Sequence, residues 1–281
     1  MQKISLLLAG LFTCIFSFAQ LQVGVFGGLS NYQGDLTDKL YKNSKGAFGL
    51  TVGYQLTNRL NLRAGFTFAK VAGADSLTKQ DDLRLRNLSF QSPVNEFSLV
   101  GEFNSFDMSL KRWSPYIFAG LAIYKFNPYT FDRSGNKVFL QPLSTEGQGV
   151  PGYSPTKPYA LTQLSIPFGG GIKYNLSDKI RLALEVGLRK TFTDYLDDVS
   201  GNYADPNDLL TYKGQQSVDL SYRGDELANG NPSYPGKGDT RGGSKYKDYY
   251  YFSGLHINFI FPDGDGGGRG GKNKFGCPTV F

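Results

Sequence analysis

The sequence predicts an all-β protein, an eight-stranded antiparallel barrel of the outer-membrane type, with short periplasmic turns and long extracellular loops. Three observations predict it. Apolar and polar residues alternate in its candidate strands, no segment after the N-terminus is apolar for long enough to form a spanning helix, and the connections sort by length.

The stretch from Ile180 to Arg189 shows the alternation without a break. Every second residue from Ile180 to Leu188 is apolar, whereas the intervening positions include Arg181, Glu185 and Arg189. Successive strand residues point to opposite faces, so one face of this strand is apolar and the other is charged. A soluble sandwich would bury the apolar face, and a membrane barrel would turn it to lipid.

Eight segments are candidate strands, and their lengths are close to the 9 to 11 residues that a tilted strand needs to cross a bilayer. They cover approximately 21–31, 46–56, 60–72, 87–104, 116–126, 161–174, 180–189 and 250–261. Pro93 indicates a bulge or a rim position in the fourth segment. The fifth is apolar on both faces, which leaves its orientation open.

The lengths of the connections decide between a soluble sandwich and a membrane barrel. Those after the second, fourth and sixth strands are short, at 57–59, 105–112 and 175–179. Those after the first, third, fifth and seventh are long, at 32–45, 73–86, 127–159 and 192–248. Short turns at one end and long loops at the other are typical of outer-membrane barrels.

The two ends of the chain are predicted to lie outside the barrel at 20–261. Lys3, an apolar run from Ile4 to Phe18 and small residues near Ala19 predict a cleaved signal peptide over 1–19. Residues 262–281 predict a flexible, glycine-rich periplasmic tail. In that tail Phe275, Cys277 and Phe281 are candidate contacts to a periplasmic partner.

Composition supports this class and argues against others. Aromatic residues make up 15% of the chain, with 18 Tyr and 22 Phe, as expected for the aromatic girdles of a barrel. The net charge is +6, but the basic residues are scattered, so the sequence does not predict a nucleic-acid partner. Cys14 belongs to the predicted signal peptide, which leaves Cys277 without an internal disulfide partner.

The inward faces carry charges of both signs. An eight-stranded barrel is just wide enough for side chains to fill it, and buried charges must be paired. We therefore predict a lumen closed by salt bridges, with no aqueous channel, formed by Arg63, Glu96, Glu102, Arg181, Glu185 and Arg189.

Two lysines, Lys70 and Lys190, share the lipid-facing side of the third and seventh strands near their loop ends. Their ammonium groups can reach the headgroup layer, so lipid and lipopolysaccharide of the outer membrane are expected partners.

No pattern in the sequence indicates catalysis, a cofactor or a metal site. His256 is the only histidine and is expected to form structural hydrogen bonds inside the barrel. Asp194, Asp197 and Asp198 could hold a cation, but they lack the spacing of a calcium loop, and a solvated loop with its own side-chain hydrogen bonds is the favoured interpretation. Arg223 to Asp225 match an integrin-binding tripeptide, which three residues do often by chance. The prediction is a protein that is not an enzyme.

Several segments resemble the PorG-like outer-membrane barrel family of Bacteroidota, which is linked to type IX secretion. They are residues 30–37, 86–90, 115–120, 140–149 and, as the longest and most specific, 189–201. The resemblance implies a barrel that associates with a periplasmic ring of PorK-like lipoprotein and PorN-like protein. It identifies no contact residues.

The expected function is therefore a non-enzymatic anchor or accessory of type IX secretion in the outer membrane. The alternative is a stand-alone small barrel that binds a ligand through its loops or passes small solutes.

Overall fold

The computed structural model describes residues 20–37, 40–78, 80–243, 245 and 247–261. The predicted signal peptide and the predicted tail, with Phe275, Cys277 and Phe281, lie outside these residues.

Eight long antiparallel strands close into a barrel, as predicted. They are β1 (Leu21–Gln33), β2 (Lys45–Gln55), β3 (Leu60–Ala74), β4 (Ser89–Asn104), β5 (Trp113–Phe126), β8 (Thr162–Asn175), β9 (Ile180–Thr191) and β10 (Tyr249–Ile260). Each strand pairs with its neighbours in this order, and β10 pairs with β1 to close the ring.

The pairings also give the stagger of the barrel. A row of paired residues that starts at Leu21 on β1 passes around all eight strands and returns to β1 at Asn31, ten residues further on. This stagger tilts the strands and fixes the width of the lumen, which side chains fill.

Apolar side chains cover the outer wall, as the alternation predicts. Leu50, Leu121, Leu164 and Leu184 lie on it and are 54%, 70%, 61% and 61% exposed. The fifth strand, whose faces the sequence left open, presents Ile117 and Leu121 outward. So much apolar surface on a closed barrel identifies a wall that faces lipid.

The inward face of β5 explains why its sequence did not reveal an orientation. Tyr116, Phe118, Tyr124 and Phe126 fill the lumen, so both faces of this strand are apolar.

Short turns lie at one end of the barrel and long connections at the other, as predicted. The long connections contain helices α1 (Asp81–Arg86), α2 (Pro206–Lys213) and α3 (Gln215–Ser221), and 3₁₀ turns at Asp75–Leu77, Gln141–Leu143 and Gly224–Glu226. They also contain a small hairpin of β6 (Tyr129–Phe131) and β7 (Lys137–Phe139). The helices were not predicted. None of the helices in the described part of the chain is long and apolar enough to cross a membrane.

Candidate functional site

Arg63 joins opposite walls of the lumen. It projects inward from β3, where its Nε lies 2.8 Å from Glu102 Oε1 of the adjacent β4. Its Nη2 lies 2.7 Å from Glu185 Oε2 of β9, which stands four strands away in a ring of eight. One guanidinium therefore bridges the width of the barrel between two buried carboxylates.

Further side chains complete this layer around the two carboxylates. Tyr116 donates a hydrogen bond to Glu185 at 2.6 Å, and His256 Nε2 lies 3.5 Å from the same carboxylate. The ammonium group of Lys173 pairs with Glu102. His256 is thus held in a structural network, as the sequence suggests, beneath the ring of Phe26.

A second layer lies nearer the loop end. Arg189 of β9 pairs with Glu96 of β4 at 3.2 Å, and Tyr250 donates a hydrogen bond to Glu96 at 2.7 Å. The guanidinium of Arg189 also lies 4.1 Å from the centre of the Phe252 ring. Two layers of paired charge therefore block the lumen at different heights.

The space left between these side chains is small. Two cavities of about 20 Å³ each lie around Arg63, one toward Phe118 and Phe252 and the other toward Lys173 and Asn258. A cavity of this size holds about one water molecule. The lumen is filled with side chains and does not contain a wide aqueous path.

Five of the six residues predicted for the lumen take part in these ion pairs, and Arg181 does not. Its Nε donates a hydrogen bond to Asn175 Oδ1 at 2.7 Å, and its Nη1 lies 3.4 Å from Gln22 Oε1. Lys173 supplies the missing cation. It was not predicted, although its position between outward-facing Ile172 and Tyr174 already places it inside the barrel.

The long connections fold over the mouth of the barrel as a cap, which we define as the described residues of 34–44, 75–88, 127–161 and 192–248. Its core is continuous with the upper lumen: Leu36, Leu140, Leu196 and Val199 pack in one apolar cluster with side chains of the strands. The rings of Phe126, Tyr159 and Tyr195 stack in a column, which links β5 to the cap.

Two buried arginines tie the cap segments together. Arg86 pairs with Asp75 at 2.6 Å and donates a hydrogen bond to the Arg241 carbonyl of another connection. Arg241 pairs with Glu146 at 2.9 Å and donates to the Asp198 carbonyl at 2.7 Å. Because these contacts join three of the long connections, the cap is one folded layer.

The acidic segment after β9 is buried, so the expectation that it is solvated was wrong, whereas the side-chain hydrogen bonds expected within the loop are present. Asp194, Asp197 and Asp198 are 3%, 1% and 0% exposed, because the chain bends back into the barrel mouth. Asp198 accepts hydrogen bonds from Thr145 and Tyr159, both at 2.6 Å. The carboxylates are satisfied mainly by hydrogen bonds from the protein.

Burial also changes the acidity of this segment. Desolvation raises the pKa of Asp198 to about 6, although Arg241 and two hydroxyl donors oppose the shift. Desolvation likewise raises the pKa values of Asp197 and Asp248 well above the ordinary range. The Tyr32 hydroxyl lies 2.5 Å from Asp197 and 3.0 Å from Asp248. A hydroxyl has one proton, so both contacts are hydrogen bonds only when one of these acids is protonated.

The integrin-like tripeptide also lies in the cap. Arg223 pairs with Glu226 at 2.9 Å, and Arg133 pairs with Asp225, so the tripeptide from Arg223 to Asp225 is engaged within the cap. Within the described ranges, no group of three or more His, Cys, Asp or Glu side chains could hold a metal ion.

The two lysines predicted to face lipid are on the outer wall. Lys70 and Lys190 are both exposed and share the outward face of β3 and β9 near the cap.

The first half of the chain is similar to a domain of unknown function. The family described as "Domain of unknown function (DUF6089)" matches residues 2–139. No curated protein matches the chain.

Solved barrels of outer membranes are distantly similar. Neisserial surface protein A is 11% identical, with 87% of this chain and 100% of that chain covered and a TM-score of 0.44. A major outer membrane protein from Thermus thermophilus is 14% identical, with 87% and 100% covered and a TM-score of 0.43. The attachment invasion locus protein Ail of Yersinia pestis is 11% identical, with 86% and 99% covered and a TM-score of 0.39. The closed strand pairing itself establishes the barrel.

Proposed function

We propose that this protein is a non-enzymatic anchor in the outer membrane, an accessory of type IX secretion that docks a periplasmic ring of PorK-like and PorN-like proteins. The observation that carries the anchor role is the filled lumen. Arg63 bridges Glu102 and Glu185 across the barrel, and Arg189 pairs with Glu96 above it. A barrel blocked at two heights and capped is suited to holding a partner rather than conducting solutes.

The link to type IX secretion rests on the resemblance of sequence segments to the PorG-like family. The longest of them, residues 189–201, runs from the end of β9 into the cap, where Leu196 and Val199 are buried. In our proposal this segment stabilises the cap, and docking takes place at the opposite end of the barrel.

The geometry of the last strand supports docking from the short-turn end. Ile260 N donates to the Lys179 carbonyl in the β8–β9 turn, and Phe261 N donates to the Leu21 carbonyl. The described chain therefore ends at Phe261, at the end of the barrel with short turns. In our proposal residues 262–281 contact the periplasmic partner through Phe275, Cys277 and Phe281.

The test is deletion of residues 262–281 in cells that contain the secretion machinery. We expect the shortened barrel to insert normally and to lose most of the lipoprotein and ring proteins in affinity purification. Cys277→Ser is the companion variant: if Cys277 lies at the interface, an intact-cell thiol cross-link to the same partners disappears while insertion is unchanged. Recovery of the same partners by the shortened and full-length proteins would overturn the docking proposal.

A stand-alone barrel that binds a ligand through its loops is the second candidate. It is favoured by α2, which presents Leu210 and Tyr212 at the cap surface, 47% and 55% exposed. Substitution of both by Ser separates the two functions: it should impair a loop-binding barrel and leave periplasmic docking unchanged.

A further inference from the structure

The outer wall of the barrel carries very few charges, and they are all of one sign. We count as outward the positions of the eight barrel strands that share a face with the exposed apolar residues. Among these positions only Lys70 of β3, Lys125 of β5 and Lys190 of β9 are charged. Three cations without an anion on an otherwise uncharged wall form a pattern that the filled lumen and the cap do not explain.

The three lysines lie on alternate strands of one side of the barrel. In the ring, β4 separates β3 from β5, and β8 separates β5 from β9. Neighbouring strands are about 4.8 Å apart, so successive lysines are separated by roughly 10 Å across the strands.

They also lie at nearly the same height. Lys70 pairs with Pro93, whereas Lys125 pairs with Asn95, two positions lower on β4. Paired positions rise by ten residues in one circuit of the barrel, or roughly 1.25 residues from each strand to the next. Because Lys125 lies two residues below the row of paired positions that passes through Lys70, its height stays close to that of Lys70. Lys190 pairs with Ile166, four residues below Thr162, which is the partner of Lys125 on β8. This offset exceeds the rise over two strands only slightly, so the three lysines lie within about two residues of one level.

Each lysine stands near the upper boundary of the apolar wall. The outward residue directly below it is Phe68, Ile123 or Leu188 on the respective strand. A lysine at this depth extends its ammonium group into the headgroup layer while its methylene groups remain against the apolar wall.

The ammonium groups are available to an outside anion. None of the three takes part in an ion pair with a carboxylate of the described residues. Asn95 of β4 and Thr162 of β8, the two residues paired with Lys125, are exposed and uncharged and can donate further hydrogen bonds. The surface is complementary to several phosphates held at one depth.

We propose that Lys70, Lys125 and Lys190 form a binding site for a glycolipid of the outer leaflet that carries two phosphates, as lipid A does. A headgroup with one phosphate meets one ammonium group at a time, whereas two phosphates on a disaccharide can bridge neighbouring lysines. The site is on one half of the barrel, so the bound glycolipid orders one side of the surrounding membrane. This inference extends the predicted contacts of Lys70 and Lys190 and depends on outer-membrane placement, but not on a role in secretion.

The test compares lipids that differ only in phosphate. The full-length protein is reconstituted in phosphatidylcholine nanodiscs that contain bis-phosphorylated or dephosphorylated lipid A, and retained lipid is counted by native mass spectrometry. We expect selective retention of the phosphorylated form. Each change among Lys70→Gln, Lys125→Gln and Lys190→Gln should lower that selectivity roughly fivefold, the usual contribution of one lysine near an anionic membrane surface.

Two control variants make the result decisive. Lys179→Gln, an exposed lysine in the β8–β9 turn, should leave selectivity unchanged, and replacement of all three site lysines by Arg should preserve it. If the Gln variants fail to fold, the comparison of phosphorylated with dephosphorylated lipid A on the unaltered protein still tests the proposal. Equal retention of both lipids overturns the proposal. The proposal is also overturned if inorganic phosphate displaces more lipid than chloride does at equal ionic strength, because the site would then bind free phosphate. Equal retention of both lipids by an unaltered protein that still recovers its periplasmic partners would overturn this inference and leave the proposed function standing.

Discussion

At the scale of single residues, Arg63 is the side chain on which the lower lumen depends. Its removal leaves Glu185 without its guanidinium partner and leaves Glu102 with Lys173 alone. Loss of one partner from a buried pair costs about 3–5 kcal/mol, because the remaining charge stays buried without compensation.

We therefore expect Arg63→Met to lower the free energy of unfolding by about 3–5 kcal/mol, measured by urea titration in lipid vesicles. Arg59→Met, at an exposed arginine of the β2–β3 turn, is the matched control and should change it by less than about 0.5 kcal/mol. Equal effects of the two substitutions would show that the bridge does not stabilise the barrel.

The buried acids of the cap make its stability depend on pH. A raised pKa means that the folded state binds protons more tightly than the unfolded chain. The contribution of Asp198 is therefore fully present below the unfolded value near 4 and is lost as pH rises through about 6. Asp197 and Asp248 change in the same direction, with pKa values raised further.

We expect the cap to resist protease better at pH 5 than at pH 8, with cleavage within 192–248 normalised to the unfolded chain at each pH. Asp197→Asn combined with Asp248→Asn, which replaces both acids by neutral groups, should reduce the difference. Greater resistance of the unaltered protein at pH 8 would contradict this assignment.

Single residues also show which side-chain positions could be predicted from the sequence. The alternation along each strand was enough to place Arg63, Glu102 and Glu185 inside the barrel, because a strand side chain points to one of only two faces. It could not place Asp197 and Asp198, because no periodic element constrains a long connection. Their burial depends on contacts with Tyr32 and Tyr159, which are distant in sequence.

At the scale of elements, the strands were predictable and the cap was not. Most strands carry a local two-residue pattern, and the ends of all eight were predicted within about three residues, including those of β5, whose faces the pattern left open. By contrast, α2 and α3 are short and separated by Gly214, and their packing against other connections stabilises them more than their own sequence does.

Paired glycines in β1 and β10 allow a close approach of the two strands. Gly28 pairs with Gly254, and a Cβ added at Gly28 would lie 2.2 Å from the Ser253 carbonyl oxygen and 2.7 Å from Gly254 Cα. The neighbouring Gly27 faces outward, and a Cβ added there would meet nothing within 4 Å.

We expect Gly28→Ala to destabilise the barrel by about 1–3 kcal/mol, since backbone atoms must shift to accommodate the methyl group. Gly27→Ala, one residue away on the opposite face, should be neutral or stabilising by up to about 1 kcal/mol. Thermal unfolding followed by the heat-dependent gel shift of barrels measures both. A larger loss for Gly27→Ala would contradict the observed inward orientation of Gly28.

At the scale of the whole molecule, barrel closure and cap formation act together. The stagger of ten residues in a ring of eight sets a lumen that paired charges and aromatic rings can fill. The cap then continues the same apolar cluster from Phe26 and Tyr250 up to Leu196 and Val199. The number and order of strands followed from the sequence, whereas the joining of lumen and cap into one core required the structure.

This continuity gives the last prediction. In planar bilayers the protein should show no stable conductance steps, because two layers of ion pairs and the cap obstruct the path. Arg63→Ala alone should also give none, since Glu96, Arg189 and the cap remain in place above it. A general porin inserted under the same conditions serves as the positive control. Stable steps from the unaltered protein would contradict the filled lumen and favour passage of solutes, and steps confined to Arg63→Ala would show that the lower layer alone closes the barrel.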